Sequence, residues 1–337
     1  MDAPPISPGA VPPYKNRRAG LIAFGIVMIA VGCVVALFLP LSFLGQFVGA
    51  KSLGIPPNYG VLGQTVFMYG LIAIGFIWLG AGSIKARRWA RALLLIVSWG
   101  WMVGGFIGVI AFLLIMPQII AGITEGQAIP PVARALMILI PSAIFFCAFI
   151  LLPLGLVLFY SSPHVKATCE AHDPVERWTD RAPLPIVAAS LWLAFAGVML
   201  LSMTVSYHGV MPAFGRLLSG PVGSAVLIVL ALVWFYSAWA IYRLQMIGWW
   251  LVIITLLLSA ISNLMTFPKI DIGEMYRSMG YAEVQIQQMQ RFNILNSTVL
   301  TVGSVGSCLL LLTYLIWIKR FFHRSTHPGA GTLAATA

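Results

Sequence analysis

Residues 221–242 read PVGSAVLIVLALVWFYSAWAIY, an unbroken run with no Lys, Arg, Asp or Glu. A helix of roughly 20 such residues crosses a hydrocarbon core of about 30 Å. The segment Val226–Val233 does not alternate polar with apolar, as a membrane-barrel strand does, and lipid offers no partner to an open strand edge. The run is therefore read as one membrane-crossing helix. Seven more stretches behave alike, near 20–41, 61–83, 92–116, 135–160, 186–208, 247–267 and 294–318. None of the 20 basic and 9 acidic side chains falls inside any of the eight.

Composition agrees. Hydrophobic residues make up 60% of the 337, charged ones 9%, and mean hydropathy is +0.95. A soluble domain could not solvate such a surface. The fold class expected is an all-α integral membrane protein, an eight-helix transmembrane bundle. Uncharged spans also remove the intramembrane acids and bases by which pumps and ion-coupled carriers are recognised.

The net charge of +11 is read as membrane topology and not as nucleic-acid binding. With the N-terminus inside, cytoplasmic segments collect fourteen Lys/Arg and external ones six, which is the asymmetry insertion favours. Lys15, Arg17, Arg18, Lys85, Arg87, Arg88, Arg91, Arg243, Lys319, Arg320 and Arg324 all flank spans on the inner side. Such residues also attract anionic lipid. Both termini are expected in the cytoplasm of a cell (plasma or inner) membrane protein. Residues 1–19, with Pro4, Pro5, Pro8, Pro12 and Pro13, read as a disordered tail; 319–337 reads as a cytoplasmic tail, with disorder expected in the Gly/Ala/Thr stretch after His327. The first span is too long for a signal peptide and reads as an uncleaved anchor. Cys33, Cys147 and Cys308 lie in spans and Cys169 in an inner loop, so no disulfide framework is expected.

Spans five to eight resemble a second copy of spans one to four, displaced by roughly 165 residues. Arg87-Arg88-Trp89-Ala90 precedes Leu93-Leu94-Leu95-Ile96; Arg243 and then Trp249-Trp250 precede Leu251-Val252-Ile253-Ile254. Met116-Pro117 ends the third span and Phe267-Pro268 the seventh. Four spans per unit give both copies the same orientation, as in parallel repeats. The expected organisation is thus repeat 1 at 20–160, a connecting loop at 161–185 and repeat 2 at 186–318. The loop holds Lys166, Glu170, Asp173, Glu176, Arg177, Asp180 and Arg181, and is expected to bury Trp178, Pro183 and Pro185 against the bundle. Near 274–292 an external amphipathic helix is expected, with Met275, Met279, Ala282, Ile286 and Met289 in one stripe.

Four groups of residues are candidates for function. His208, Asn263, Asn296 and Thr301, with other polar residues at the outer helix ends, read as an uncharged pocket for a neutral ligand or a lipid headgroup; interhelical glue is the plainer reading, because buried amides need partners. The stripe Met275, Met279, Ile286, Met289 reads as a cap on the bundle or a face for a partner. Gly100, Gly104 and Gly108 stand at helix-packing spacing, within the chain or at a homo-oligomer face. His164, Cys169 and His172 are ligand types zinc accepts, at a spacing no standard site uses. Phosphate loops, dinucleotide fingerprints and hydrolase motifs are absent, and no cofactor is expected. The leading expectation is a non-catalytic accessory or assembly component that binds protein or lipid partners. The alternative is a transporter or passive pathway for a neutral or amphipathic solute; third comes an enzyme with a metal site in the 161–185 loop. Fourth-span Pro141 and Pro153 are expected to bend that helix.

Overall fold

The computed structural model describes residues 14–54, 57–123, 130–291 and 297–324. Eight of its helices are long and apolar enough to cross a membrane. The elements are α1 (Arg18–Leu53), α2 (Tyr59–Ile84), α3 (Arg88–Ile123), α4 (Pro131–Phe146), α5 (Leu152–Ser161), α6 (Pro163–His172), α7 (Leu184–Ser206), β1 (Met211–Ala213), β2 (Arg216–Leu218), α8 (Gly220–Tyr242), α9 (Met246–Thr266), α10 (Ile272–Ser278), α11 (Glu283–Arg291) and α12 (Ser297–Arg324). A π turn, Cys147–Leu151, joins α4 to α5, which together form the fourth span. Proline opens α6, α7 and α8, where its missing N–H costs nothing.

Helix ends depart most from expectation. α1 and α3 have 36 residues each, about 54 Å at 1.5 Å per residue, and carry Pro40 and Pro117 inside them. The eighth span reaches Phe322, past its expected end at 318. α12 continues to Arg324, so residues 319–324 are helical. Residues 1–13 and 325–337 lie outside the described residues. The expected disorder of residues 14–19 is corrected: the Lys15 and Arg17 amides donate to His164 Nδ1 (3.3 Å) and Thr168 Oγ1 (3.1 Å) of α6, and α1 begins at Arg18.

The chain forms two compact units. The first gathers residues up to Ala36, Ile72–Leu113 and Ala135–Arg181. Small residues set its helix packing: Gly25 and Gly80 face each other, with a Cβ on Gly80 reaching 2.6 Å from the Gly25 carbonyl oxygen. Buried Ser83 donates to the Leu21 carbonyl (2.9 Å) and bonds the Tyr160 hydroxyl (2.6 Å), satisfying polar groups deep in the helix bundle. Residues 161–181 form a clasp built on α6. Val165, Thr168, Cys169, Asp173 and Thr179 are its buried residues, whereas Trp178 is 41% exposed and Pro183 is exposed. The expected burial of Trp178 and Pro183 is thus corrected; the acidic residues face Arg87 and Arg88 instead.

The second unit comprises Leu37–Leu71, Leu114–Arg134 and the chain from Ala182 onward. α8 and α9 form an antiparallel hairpin whose turn closes tightly, since a Cβ on Gly248 would lie 2.7 Å from Ala240 Cβ. α12 runs antiparallel to α9, its Leu315 carbonyl accepting from Trp249 Nε1 at 2.8 Å. The Tyr314 hydroxyl donates to the Pro185 carbonyl (2.7 Å), tying in the start of α7.

Candidate ligand cleft at the hairpin end

α7 ends at Ser206, and His208 and Gly209 adopt positive φ (54° and 66°), turning the chain into a β-hairpin. Met211 pairs with Leu218, Pro212 with Leu217 and Ala213 with Arg216. The two-residue loop Phe214-Gly215 has φ of 45° and 84°, the positive pair a tight hairpin turn requires. Two buried hydroxyls of α9 hold the tip. Ser262 Oγ accepts from the Phe214 amide (3.0 Å), and Thr266 Oγ1 accepts from the Gly215 amide (2.8 Å). Polar residues at this helix end thus satisfy hairpin amides that the ladder leaves open.

Beyond α9, Val210, Ile272 and Met275 form a buried cluster packed by Leu217, Phe267, Tyr276 and Met279. The single amphipathic helix expected near 274–292 is corrected to two short ones, α10 and α11, because Gly280 takes φ +87°. The carbonyl of that glycine accepts from Asn58 Nδ2 (2.6 Å), while Asn58 Oδ1 caps α2 by accepting from the Val61 amide (3.1 Å). Arg277 and Glu283 bridge α10 to α11 at 3.1 Å. Ile286 is fully buried, Met275 is buried, and Met279 and Met289 are half-buried. The methionine stripe therefore packs inward in this chain. Tyr276 and Tyr281 lie with ring centres 5.2 Å apart; burial, with the neighbouring Tyr207 and Tyr276 hydroxyls, pushes the Tyr281 phenol up to about 12.

α11 roofs a cleft of about 390 Å³, lined by Ser42, Gly45, Gln46, Gly49 and Ala50 of α1, Thr65 and Tyr69 of α2, and Gln285 and Gln288 of α11. No lining residue carries a charge. Ser42 and Thr65 spend their hydroxyl hydrogens on the carbonyls of Phe38 (2.6 Å) and Val61 (2.8 Å), and Gln285 Oε1 accepts from the Ala282 amide (3.1 Å). The Gln46 and Gln288 carboxamides and the Tyr69 hydroxyl make no hydrogen bond among the described residues. Cβ atoms on Gly45 or Gly49 would meet nothing within 4 Å, so both glycines leave the α1 wall open.

The residues expected to form the pocket do not line this cleft. His208 is exposed beside Gly280, Asn263 is half-buried on α9, and Thr301 donates back to the Ser297 carbonyl (2.7 Å). Asn296 lies outside the described residues. The cleft is not legible in the sequence: Gln46 lies beyond the expected first span, which ends near residue 41, yet α1 continues to Leu53, and Gln46 and Gln288 come together only in the fold. Of the glycine candidates, Gly104 faces open space and Gly108 touches Phe145 at 3.7 Å, while the close approach is at Gly105, against the Phe149 carbonyl.

The possible metal ligands diverge. On α6, His164, Cys169 and His172 spread over about 140° at 100° per residue. His172 Nδ1 lies 2.8 Å from the Thr168 carbonyl oxygen, and burial pushes the Cys169 thiol up to about 11, away from the thiolate a metal needs. Among the described residues no three His, Cys, Asp or Glu side chains group as a metal site. The chain matches no protein-family model, and no curated protein or solved structure is significantly similar to it.

Proposed function

We propose that the protein is a non-catalytic membrane component that binds an uncharged amphiphile, a lipid-type partner, in the cleft beneath α11. One observation carries this reading: two carboxamides and a phenol, none with a hydrogen-bond partner among the described residues, line a charge-free hollow. Such groups gain by bonding hydroxyls or carbonyls of a neutral ligand, since unpaired polar groups at the edge of hydrocarbon are costly. Purification in mild detergent followed by solvent extraction and mass spectrometry tests it. Gly45→Val/Gly49→Val adds bulk to the cleft wall at two positions where a Cβ meets nothing within 4 Å, and Gln46→Leu/Gln288→Leu removes its amides. Wild type should retain a neutral amphiphile that both variants lose. Identical extracts from all three would overturn the reading.

A pathway for the same class of solute is the second reading. The roof favours it, because α11 joins α10 through Gly280 and an exposed Arg277–Glu283 pair, which surface screening leaves weak. Solute flux into liposomes that disappears in the Gly45→Val/Gly49→Val variant would select this reading over static binding.

The finer architecture belongs to the same proposal: two parallel four-helix repeats, both termini cytoplasmic, in the plasma or inner membrane. The charge asymmetry supports the orientation. Two turns support the duplication. Between α2 and α3, the Ala86 amide bonds Ser83 and the Arg87 amide bonds Gly82; between α8 and α9, Leu244 bonds Ile241 and Gln245 bonds Ala240. Ala86 and Leu244 both take positive φ (50° and 57°). A small-residue contact crosses each turn, Gly82 with Ala90 and Ala240 with Gly248. Each pair is related by the same shift of 158 positions (86→244, 82→240, 90→248).

A further inference from the structure

The end of the second unit that carries the α8–α9 turn collects positive charge on indole rings. Lys319 Nζ stands 5.0 Å from the centre of the Trp249 ring, which is buried and anchored by its bond to Leu315. The Arg320 guanidinium lies 4.3 Å from the Trp317 ring and 4.9 Å from Phe321, and that of Arg243 lies 5.7 Å from Trp239. Among the described residues no carboxylate comes within ion-pair distance of these three cations. In the first unit the matching turn is answered by protein: Arg87 and Arg88 meet Asp173, Glu170 and Asp180 of the clasp. Residues 325–337 contain no Asp or Glu.

We infer that Arg243, Lys319 and Arg320 form a site for the headgroup phosphate of an anionic phospholipid. The charge needs a counter-ion, and no carboxylate among the described residues stands close enough to provide one. The rings decide its source. Trp239, Trp250 and Trp317 are exposed at the ends of membrane-length helices, and indoles at that position sit at headgroup level. Cation–π contact also holds the basic heads along the helix ends, and the carboxyl ends of α8 and α12 favour positive charge. This inference is independent of what fills the cleft, which takes uncharged ligands.

The test is competition between equimolar phosphatidylglycerol and phosphatidylcholine on the full-length protein in detergent, with bound lipid read by native mass spectrometry. Wild type should favour phosphatidylglycerol. Arg243→Gln/Arg320→Gln should lower the ratio roughly fivefold per charge removed, and Arg243→Lys/Arg320→Lys should keep most of it. Trp317→Leu, which leaves every charge in place, should lower it about two- to fivefold. Lys51→Gln/Lys269→Gln, an equal charge loss outside this site, should leave it unchanged. An unbiased wild type, an equal fall in that control, or indifference to Trp317→Leu would each overturn the site. Displacement of phosphatidylglycerol by millimolar inorganic phosphate would overturn the lipid as its source.

Discussion

Asp173 is the one acidic side chain buried among the described residues, with 2% of its surface exposed. Arg177 reaches both of its oxygens, Nε to Oδ2 at 3.3 Å and Nη2 to Oδ1 at 2.8 Å. The Arg88 amide donates to Oδ2 (3.4 Å) and Arg87 stands 3.6 Å from Oδ1. The Arg177 hydrogen bonds, more than the Arg88 amide and the neighbouring charges, hold this carboxyl below its ordinary range against the opposing effect of burial. A folded-state pKa below the unfolded value of about 3.9 stabilises the fold fully above that value, and the stabilisation is lost as pH falls through the folded value. Between about pH 5 and 8 this residue should therefore contribute a constant term. Asp173→Asn should lower the thermal midpoint by a few degrees at neutral pH, and the difference from wild type should vanish in strong acid. A difference that persists in strong acid would mean that Asp173 acts by shape and not by charge. The sequence displays the acids and bases of this loop openly, but not their pairing. Arg87 and Asp173 are 86 positions apart, and only the packing of α6 brings them together.

At the scale of elements, the fourth span shows how one missing donor shapes a helix interface. Pro153 has no N–H for the Phe149 carbonyl four residues earlier. The helix opens into a π turn, in which the Leu152 amide bonds Cys147 five residues back. The Phe149 carbonyl then abuts Gly105, where a Cβ would overlap it. Phe112, Phe145 and Phe149 stack alongside, with ring centres 4.7 and 4.2 Å apart. Gly105→Ala should thus cost about 1–3 kcal/mol, the usual penalty for overpacking, whereas Gly104→Ala, with nothing within 4 Å of its Cβ, should be neutral or slightly stabilising. Thermal unfolding of the two variants in one detergent decides it; equal behaviour would show that α3 and the π turn of the fourth span do not touch there. The four-residue glycine spacing of α3 was visible in the sequence, yet it pointed one residue away from the contact. Which face of an apolar helix meets a neighbour is hidden when every face is apolar. The hairpin is illegible for a related reason: its strands have three residues each, too few to show an alternating pattern.

For the molecule as a whole, the eight apolar runs were plain because the solvent dictates them: residues facing hydrocarbon cannot carry charge. The cleft was not plain, because it depends on contacts between α11 and helices more than 200 residues earlier in sequence. Helix ends are less legible than helix centres, since polar and apolar residues mix there. Orientation, by contrast, is carried by the loops, and the fourteen-to-six division of Lys and Arg makes a definite prediction. In a background lacking the four native cysteines, Lys51→Cys and Lys269→Cys should react with a membrane-impermeant maleimide added to intact cells. Lys85→Cys and Lys166→Cys should react only after the membrane is opened. All four parent lysines are exposed, so failure to label reports sidedness and not burial. The reverse pattern would invert the molecule, placing the Arg243, Lys319 and Arg320 cluster against the outer leaflet. Labelling of all four from outside would mean that the loops do not divide as their charges require, and the parallel relation of the two repeats would fall with the topology.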